Sequence, residues 1–325
     1  MIIDVYCHHI SKANIDRIEK GRWALEGKTS GPTGIKKFLC PPENADPEVR
    51  LSLMDTYGVD VQALSLTTET FDGFSAKDAA EICRTANGDN YALCKAYPRR
   101  FVNICALSLL DVKSALDELD RSINELDCRG VVVSTNQNGR GLDSAEYFPL
   151  YKKLEGNDLP LFLHPCNWKS YPLVEESEWV LMSRFGWPFD STQAVWRLIF
   201  GGVLDRFPSL KIVMHHLGAM FPYFAGRIES GMMRLNEGLP RPMSEYWKNI
   251  YGDSALSGGL PEAYALGYAF FGPDRVVYGS DYPFGLEAGE KFMRVNLAGL
   301  KNLKIPAEEM EKVLGGNAAK LLKIK

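Results

Sequence analysis

Histidine is scarce in this sequence, and long apolar runs are missing. Among 325 residues there are five histidines: His8, His9, His164, His215 and His216. No apolar stretch approaches the roughly 20 residues of a membrane-spanning helix, so no membrane segment is expected. The N-terminus, Met1 to Val5, lacks the basic and long apolar segments of a secretory leader. A strong charge imbalance is also absent. The formal net charge of −4 offers nucleic acid or an anionic membrane surface no electrostatic attraction. The seven cysteines are odd in number and show no CxxC spacing, so a reduced, cytoplasmic setting is expected rather than a disulfide framework. Neither a GxGxxG nor a Walker sequence is present, which leaves a doubly wound nucleotide-binding sheet without its usual support.

What the chain does have is alternation. Hydrophobic residues make up 46% and charged residues 24%, the balance of a soluble globule with a large core. Short apolar runs at residues 2–6, 59–66, 101–106, 129–134, 159–164, 210–215, 250–254 and 275–281 read as eight strands. Helical patterns are expected between them at 75–97, 112–126, 146–154, 191–207, 221–236 and 261–271. Asp46 and Pro47 open a further short helix, and two helices, 287–303 and 307–322, close the chain. Eight strands alternating with helices predict a (β/α)8 TIM barrel. With no internal repeat or linker, residues 1–325 are read as one domain. Residues 11–47 and 165–188 read as long irregular loops, expected to flank the site because such loops are usually functional.

The histidines give the barrel a direction. Each follows a short apolar run: Met1-Ile-Ile, Leu161-Phe-Leu or Ile212-Val-Met. Barrel active sites lie where strands end, so His8, His164, His215, His216 and Asp281 are expected to converge. Imidazole and carboxylate suit zinc, manganese or iron. Such an ion activates water or polarises a substrate oxygen. Arg184, Arg197 and Arg227 are candidate carboxylate clamps, with surface ion pairs as the plainer alternative. Trp168, Trp179, Phe185 and Trp187 suit either a flat substrate wall or an oligomer contact. Asp253 suits either a strand-mouth role or a helix cap.

Several stretches together resemble the amidohydrolase-related family that includes aminocarboxymuconate-semialdehyde and resorcylate-type decarboxylases. They are Ile3-Asp4 to His8, Leu163-His-Pro165, His216-Leu-Gly-Ala-Met-Phe-Pro222 with Gly226-Arg-Ile228, Tyr278-Gly-Ser-Asp-Tyr-Pro283, and Gly316-Asn-Ala-Ala-Lys-Leu-Leu322. They span nearly the whole chain in the family's order. The resemblance implies an amidohydrolase-like barrel and one divalent metal, zinc first, with manganese or iron as alternatives. It implies His8, His164 and Asp281 as ligands, His216 as acid/base or ligand, Asp281 also as a proton carrier, and Arg227 as a family arginine. The departure is Tyr6, which stands where the family places its first histidine ligand. Three outcomes follow: Tyr6 binds metal as a phenolate, the metal shifts to recruit His9 or His215, or the site is metal-free.

The expected activity is non-oxidative decarboxylation of a small unsaturated or aromatic carboxylate. Alternatives are hydrolysis by metal-bound water, iron or iron–manganese oxygen chemistry with Tyr6 as ligand, and a non-catalytic paralogue paired with an active subunit. A homodimer or larger assembly is also expected.

Overall fold

The computed structural model describes residues 1–25, 46–67, 73–166, 182–232 and 239–324. Eight parallel strands form one sheet in sequential order: β1 (Ile3–His8), β2 (Val61–Ser65), β3 (Phe101–Ala106), β4 (Cys128–Ser134), β5 (Leu161–His164), β6 (Ile212–Met214), β7 (Ile250–Asp253) and β8 (Val276–Val277). The ring closes by hydrogen bonds between β1 and the segment just after β8. Val5 N–H donates to the Tyr278 carbonyl at 2.9 Å, and Asp281 N–H to the Tyr6 carbonyl at 2.8 Å. The predicted barrel is therefore the observed one. Among the described residues, no helix is long and apolar enough to cross a membrane.

Side chains alternate between two buried layers, as the period of a strand requires. Tyr6, Ile104, Val132, Phe162 and Val213 share one cluster. Their chain neighbours Cys7, Cys105, Val133, Leu163 and Met214 belong to another, which packs on the helices. The first cluster is the barrel interior, because the rings of Tyr6 and Phe162 meet at 6.2 Å although β1 and β5 are not sheet neighbours.

The seam between first and last strands is polar and buried. Asp4 accepts from Ser280 N–H at 2.9 Å and from Ser280 Oγ at 2.6 Å. It also accepts from Gln62 Nε2 at 2.9 Å. Gln62 in turn accepts from Arg50, whose guanidinium also donates to the His8 carbonyl and lies 4.5 Å from the Tyr282 ring centroid. Burial pushes Asp4 up to about 6 against these hydrogen bonds. Gly279 makes the seam sterically feasible, since a Cβ there would stand 2.9 Å from Tyr6 Cβ and 3.0 Å from Asp253 Cβ.

Helix ends follow the expected chemistry where caps were legible. Asp46 accepts from Glu48 N–H before the helix Pro47–Tyr57, and Ser75 accepts from Asp78 N–H before Ala76–Ala96. Three expectations need correction. The stretch read as an irregular loop holds a helix, Lys12–Leu25. Its Gly21 marks close approach to Phe74, where a Cβ would meet the ring at 2.1 Å, not a chain break. The helix expected over 191–207 breaks into Trp187–Phe200 and Val203–Arg206, because Gly202 turns left-handed at φ 73°. The last helix is interrupted by a π turn at Lys312–Gly316. Trp168 and Trp179 lie outside the described residues.

Replacing Asp4 with Asn turns acceptor positions into donors facing Ser280 and Gln62. A stability loss of about 2–3 kcal/mol is expected, the cost of buried groups left unsatisfied, read as the urea midpoint. A midpoint unchanged from wild type would remove the seam from the list of stabilising features.

Candidate active site

Four of the eight strand ends contribute polar groups to a common floor. β1 ends in His8, β5 in His164, and β6 is followed by His215 and His216. The ring centroids of His8 and His164 lie 5.1 Å apart, and those of His164 and His215 lie 5.9 Å apart. Asp281, just beyond β8, faces them. Its Oδ1 lies 3.3 Å from His8 Nε2 and 3.8 Å from His215 Nε2.

In all three floor imidazoles Nδ1 is engaged from behind. His8 Nδ1 lies 3.1 Å from Ser65 Oγ, and His164 Nδ1 lies 2.8 Å from the Pro165 carbonyl. His215 Nδ1 lies 2.7 Å from Asp253 Oδ2. Where the partner is a carbonyl or carboxylate, Nδ1 carries the proton and Nε2 keeps its lone pair. This arrangement orients histidines as metal ligands. His8 Nε2 is buried and has no hydrogen-bond partner among the described residues. A buried nitrogen left that way costs free energy unless something fills the gap.

These donors fit a divalent cation by their chemistry. Among the described residues, no group of three or more histidine, cysteine, aspartate or glutamate side chains is spaced to hold a metal ion. The fit therefore rests on the unpartnered His8 nitrogen and the rearward hold on each Nδ1. Electrostatics agree. Burial pulls His8 and His215 down to about 3, so both are neutral donors near pH 7. Burial works the other way at the carboxyls, pushing Asp281 up to about 7 and Asp253 up to about 8 and so disfavouring their charged forms.

The floor opens into a cavity of about 430 Å³. His164, His215, His216 and Asp281 line its inner end, and Trp187, Phe284 and Phe292 wall it. Pro165, Arg184, Trp187 and Pro188 come from the second expected loop region, which does border the site. Much of the first, residues 26–45, lies outside the described residues.

The other candidates separate cleanly. His216 lines the cavity, and its Nδ1 is buried without a hydrogen-bond partner among the described residues. His9 turns to Asn90 Oδ1 at 2.8 Å and is not among the cavity-lining residues. Arg197 pairs with Asp143 at 2.8 Å, the surface ion pair. Arg227 sits exposed on the helix Phe221–Met232 and does not line the cavity, whereas Arg184 does. Asp253 takes the strand-mouth place and not the helix cap: its other oxygen accepts from Ala255 N–H at 2.9 Å in the loop after β7, while the next helix, Pro261–Phe271, starts after Leu260.

Tyr6 is inside the barrel, stacked on His215 with centroids 3.8 Å apart and rings 11° from parallel. Its hydroxyl donates to the Leu163 carbonyl at 3.0 Å. In this position the hydroxyl is held by the barrel wall, and His215, rather than His9, faces Asp281. The sequence named both His215 and His216 at this strand end without dividing their places. The signal available was Asp253, a carboxylate at the adjoining strand end.

A family model described as Amidohydrolase matches residues 3–324. A 2-amino-3-carboxymuconate-6-semialdehyde decarboxylase from Dictyostelium discoideum is 31% identical over 283 residues, covering 85% of this chain and 76% of that protein. A gamma-resorcylate decarboxylase from Rhizobium sp. (strain MTP-10005) is 28% identical, covering 73% and 76%. Among solved structures, 5-carboxyvanillate decarboxylase from Sphingomonas paucimobilis superposes with a TM-score of 0.84 at 24% identity, covering 100% of this chain and 99% of that one. The enzyme of the same name from Novosphingobium aromaticivorans, complexed with manganese and 4-hydroxy-3-methoxy-5-nitrobenzoic acid, gives 0.85 at 23% identity, covering 100% and 96%.

Tyr6→Phe should keep its bound metal, because the ring stack remains and only the bond to Leu163 is lost. A stability cost of about 1 kcal/mol is expected, read by urea unfolding beside metal analysis by mass spectrometry. Loss of metal in this variant would reinstate Tyr6 as a ligand.

Proposed function

The chain belongs to the amidohydrolase family, and from that premise we propose that it is a metal-dependent, non-oxidative decarboxylase of a small aromatic or unsaturated carboxylate. The observation that carries this reading is the convergence of His8 Nε2 and His215 Nε2 on Asp281 at the floor of an aromatic-walled cavity. His8, His164, His215 and Asp281 would hold the ion, manganese or zinc. Bound there, a divalent ion supplies Lewis acidity toward a substrate carboxylate and a neighbouring oxygen.

The chain's own residues account for the rest. Trp187, Phe284 and Phe292 bind a flat substrate and exclude water. Asp281 is the carboxyl that lines the cavity, placed to carry a proton to the substrate. That proton passes to the carbon bearing the carboxylate. The bond from this carbon to the carboxylate breaks, its electron pair stays on the carbon, and CO2 leaves. His216, half-buried with a partnerless Nδ1, is placed to hydrogen-bond the substrate as charge develops. Oxygenase chemistry loses its motive with the Tyr6 hydroxyl held by the barrel wall. The paralogue reading loses its motive because the floor keeps three imidazoles and a carboxylate together.

The 325 residues are read as one domain working in the cytoplasm, where the free thiols of Cys7, Cys83, Cys94, Cys105, Cys128 and Cys166 persist reduced. A second copy of the chain is proposed to cover the exposed Phe185, Phe189, Tyr223 and Phe224, on the segments after β5 and β6.

The test is CO2 release from a panel of hydroxybenzoates and benzene dicarboxylates with manganese or zinc supplied. Asp281→Asn should lower turnover by about 10²- to 10⁴-fold, the range for removing a proton-transfer group. No CO2 from any member of the panel, with hydrolysis of an ester or amide panel instead, would replace this reading with the hydrolase.

A further inference from the structure

Among the described residues, Arg184 is the sole lysine or arginine lining the cavity. It belongs to a π turn, Met182–Gly186, that leads into the helix Trp187–Phe200. Such turns recur at functional sites. The residue is exposed, while His164 and His215 at the inner end are buried. The cavity therefore has a floor of imidazoles and carboxylates and a cationic rim. Among the described residues Arg184 forms no ion pair, unlike Arg197 and Arg241, which are paired with Asp143 and Asp205. An unpaired guanidinium at a cavity rim suits a planar anion held by two parallel hydrogen bonds.

Which anion follows from the reaction. The carboxylate that departs as CO2 loses its charge along the way. A guanidinium on that group would stabilise the starting state more than the transition state and slow the chemistry. A guanidinium on an anionic group that stays on the substrate binds both states alike, which lowers KM and leaves kcat unchanged. Resting on the decarboxylase reading above, we propose that Arg184 recognises a second, retained carboxylate, so that the preferred substrate is a dicarboxylate. Trp187, three residues further on, also lines the cavity and can wall the ring between the two carboxylates.

Equilibrium binding tests this without turnover, so it stands apart from the CO2 assay. Benzene-1,3-dicarboxylate and benzoate are titrated calorimetrically into the purified full chain with manganese present. The dicarboxylate should bind about 10- to 100-fold tighter than benzoate, the contribution of one charge-assisted, two-pronged pair. In Arg184→Gln the two ligands should bind within about threefold of each other, with benzoate affinity unchanged. Arg184→Lys keeps the charge without the fork and should fall between. If Arg184→Gln also loses benzoate, the Lys variant decides, since only the dicarboxylate preference should drop in it. Equal binding of the two ligands to the wild type, or a preference that survives in both variants, overturns the proposal.

Discussion

The structure depends on one buried carboxylate at the place where the barrel meets itself. Asp4 ties β1 to the segment after β8 through both the amide and the hydroxyl of Ser280. An acceptor-only group facing several donors satisfies them all at once, and a closed ring leaves no exposed sheet edge. The consequence for the site is direct. His8 lies four residues beyond Asp4, and Asp281 lies one residue beyond Ser280. The seam that closes the barrel therefore also sets the distance between the first imidazole and the carboxylate opposite. Arg50 extends the same network to the His8 carbonyl, so the backbone carrying His8 is held from outside the barrel as well.

From that seam the floor is built by direction more than by proximity. An imidazole has two nitrogens, and the environment decides which one faces the site. Ser65, the Pro165 carbonyl and Asp253 each take an Nδ1, which turns the Nε2 edges of His8 and His215 toward Asp281. Tyr6 supports this by stacking on His215 while its hydroxyl is held by the Leu163 carbonyl. A second histidine at position 6 would bring another imidazole to the floor. A tyrosine there instead fills the barrel interior and braces His215 from one face.

The barrel was legible because its signals are local. Apolar runs of strand length, caps such as Asp46 and Ser75, and histidines just past strand ends each need only neighbouring residues to be read. What was not legible depends on pairs far apart in the chain. Nothing near Gly21 announces Phe74, so a glycine that permits close packing read as a loop. Ser65 and Gln62 look like ordinary strand polar residues until the fold brings His8 and Asp4 beside them. The two adjacent histidines posed the hardest case. The family resemblance singled out His216, and only the placement of Asp253 at the end of β7 shows that His215 is the one held toward Asp281. Arg227 outranked Arg184 for a related reason: it belongs to a recognisable motif, yet its helix carries it to the outside.

Backbone conformation completes the argument, because the residues at the mouths of β6 and β8 are left-handed. His216, Leu217 and Ala219 have φ between 50° and 57°, and Asp281 has φ 63°. For residues bearing a Cβ each such conformation costs on the order of 1 kcal/mol. An extended strand would send alternate side chains to opposite faces, so it could not bring His215 and His216 into one cavity. Turning sharply after His215 does. The turn is held by packing behind it: Gly218 and Gly252 both lie against the Phe271 ring, where a Cβ on either would come within 2.6 Å. Leu217 meanwhile sits against Gly267 of the helix Pro261–Phe271, at distances only a glycine allows. The glycines thus let one phenylalanine and one leucine hold the strained turn in place. Local strain, borne by the packing of helix Pro261–Phe271, is what puts two consecutive histidines to use at a single site.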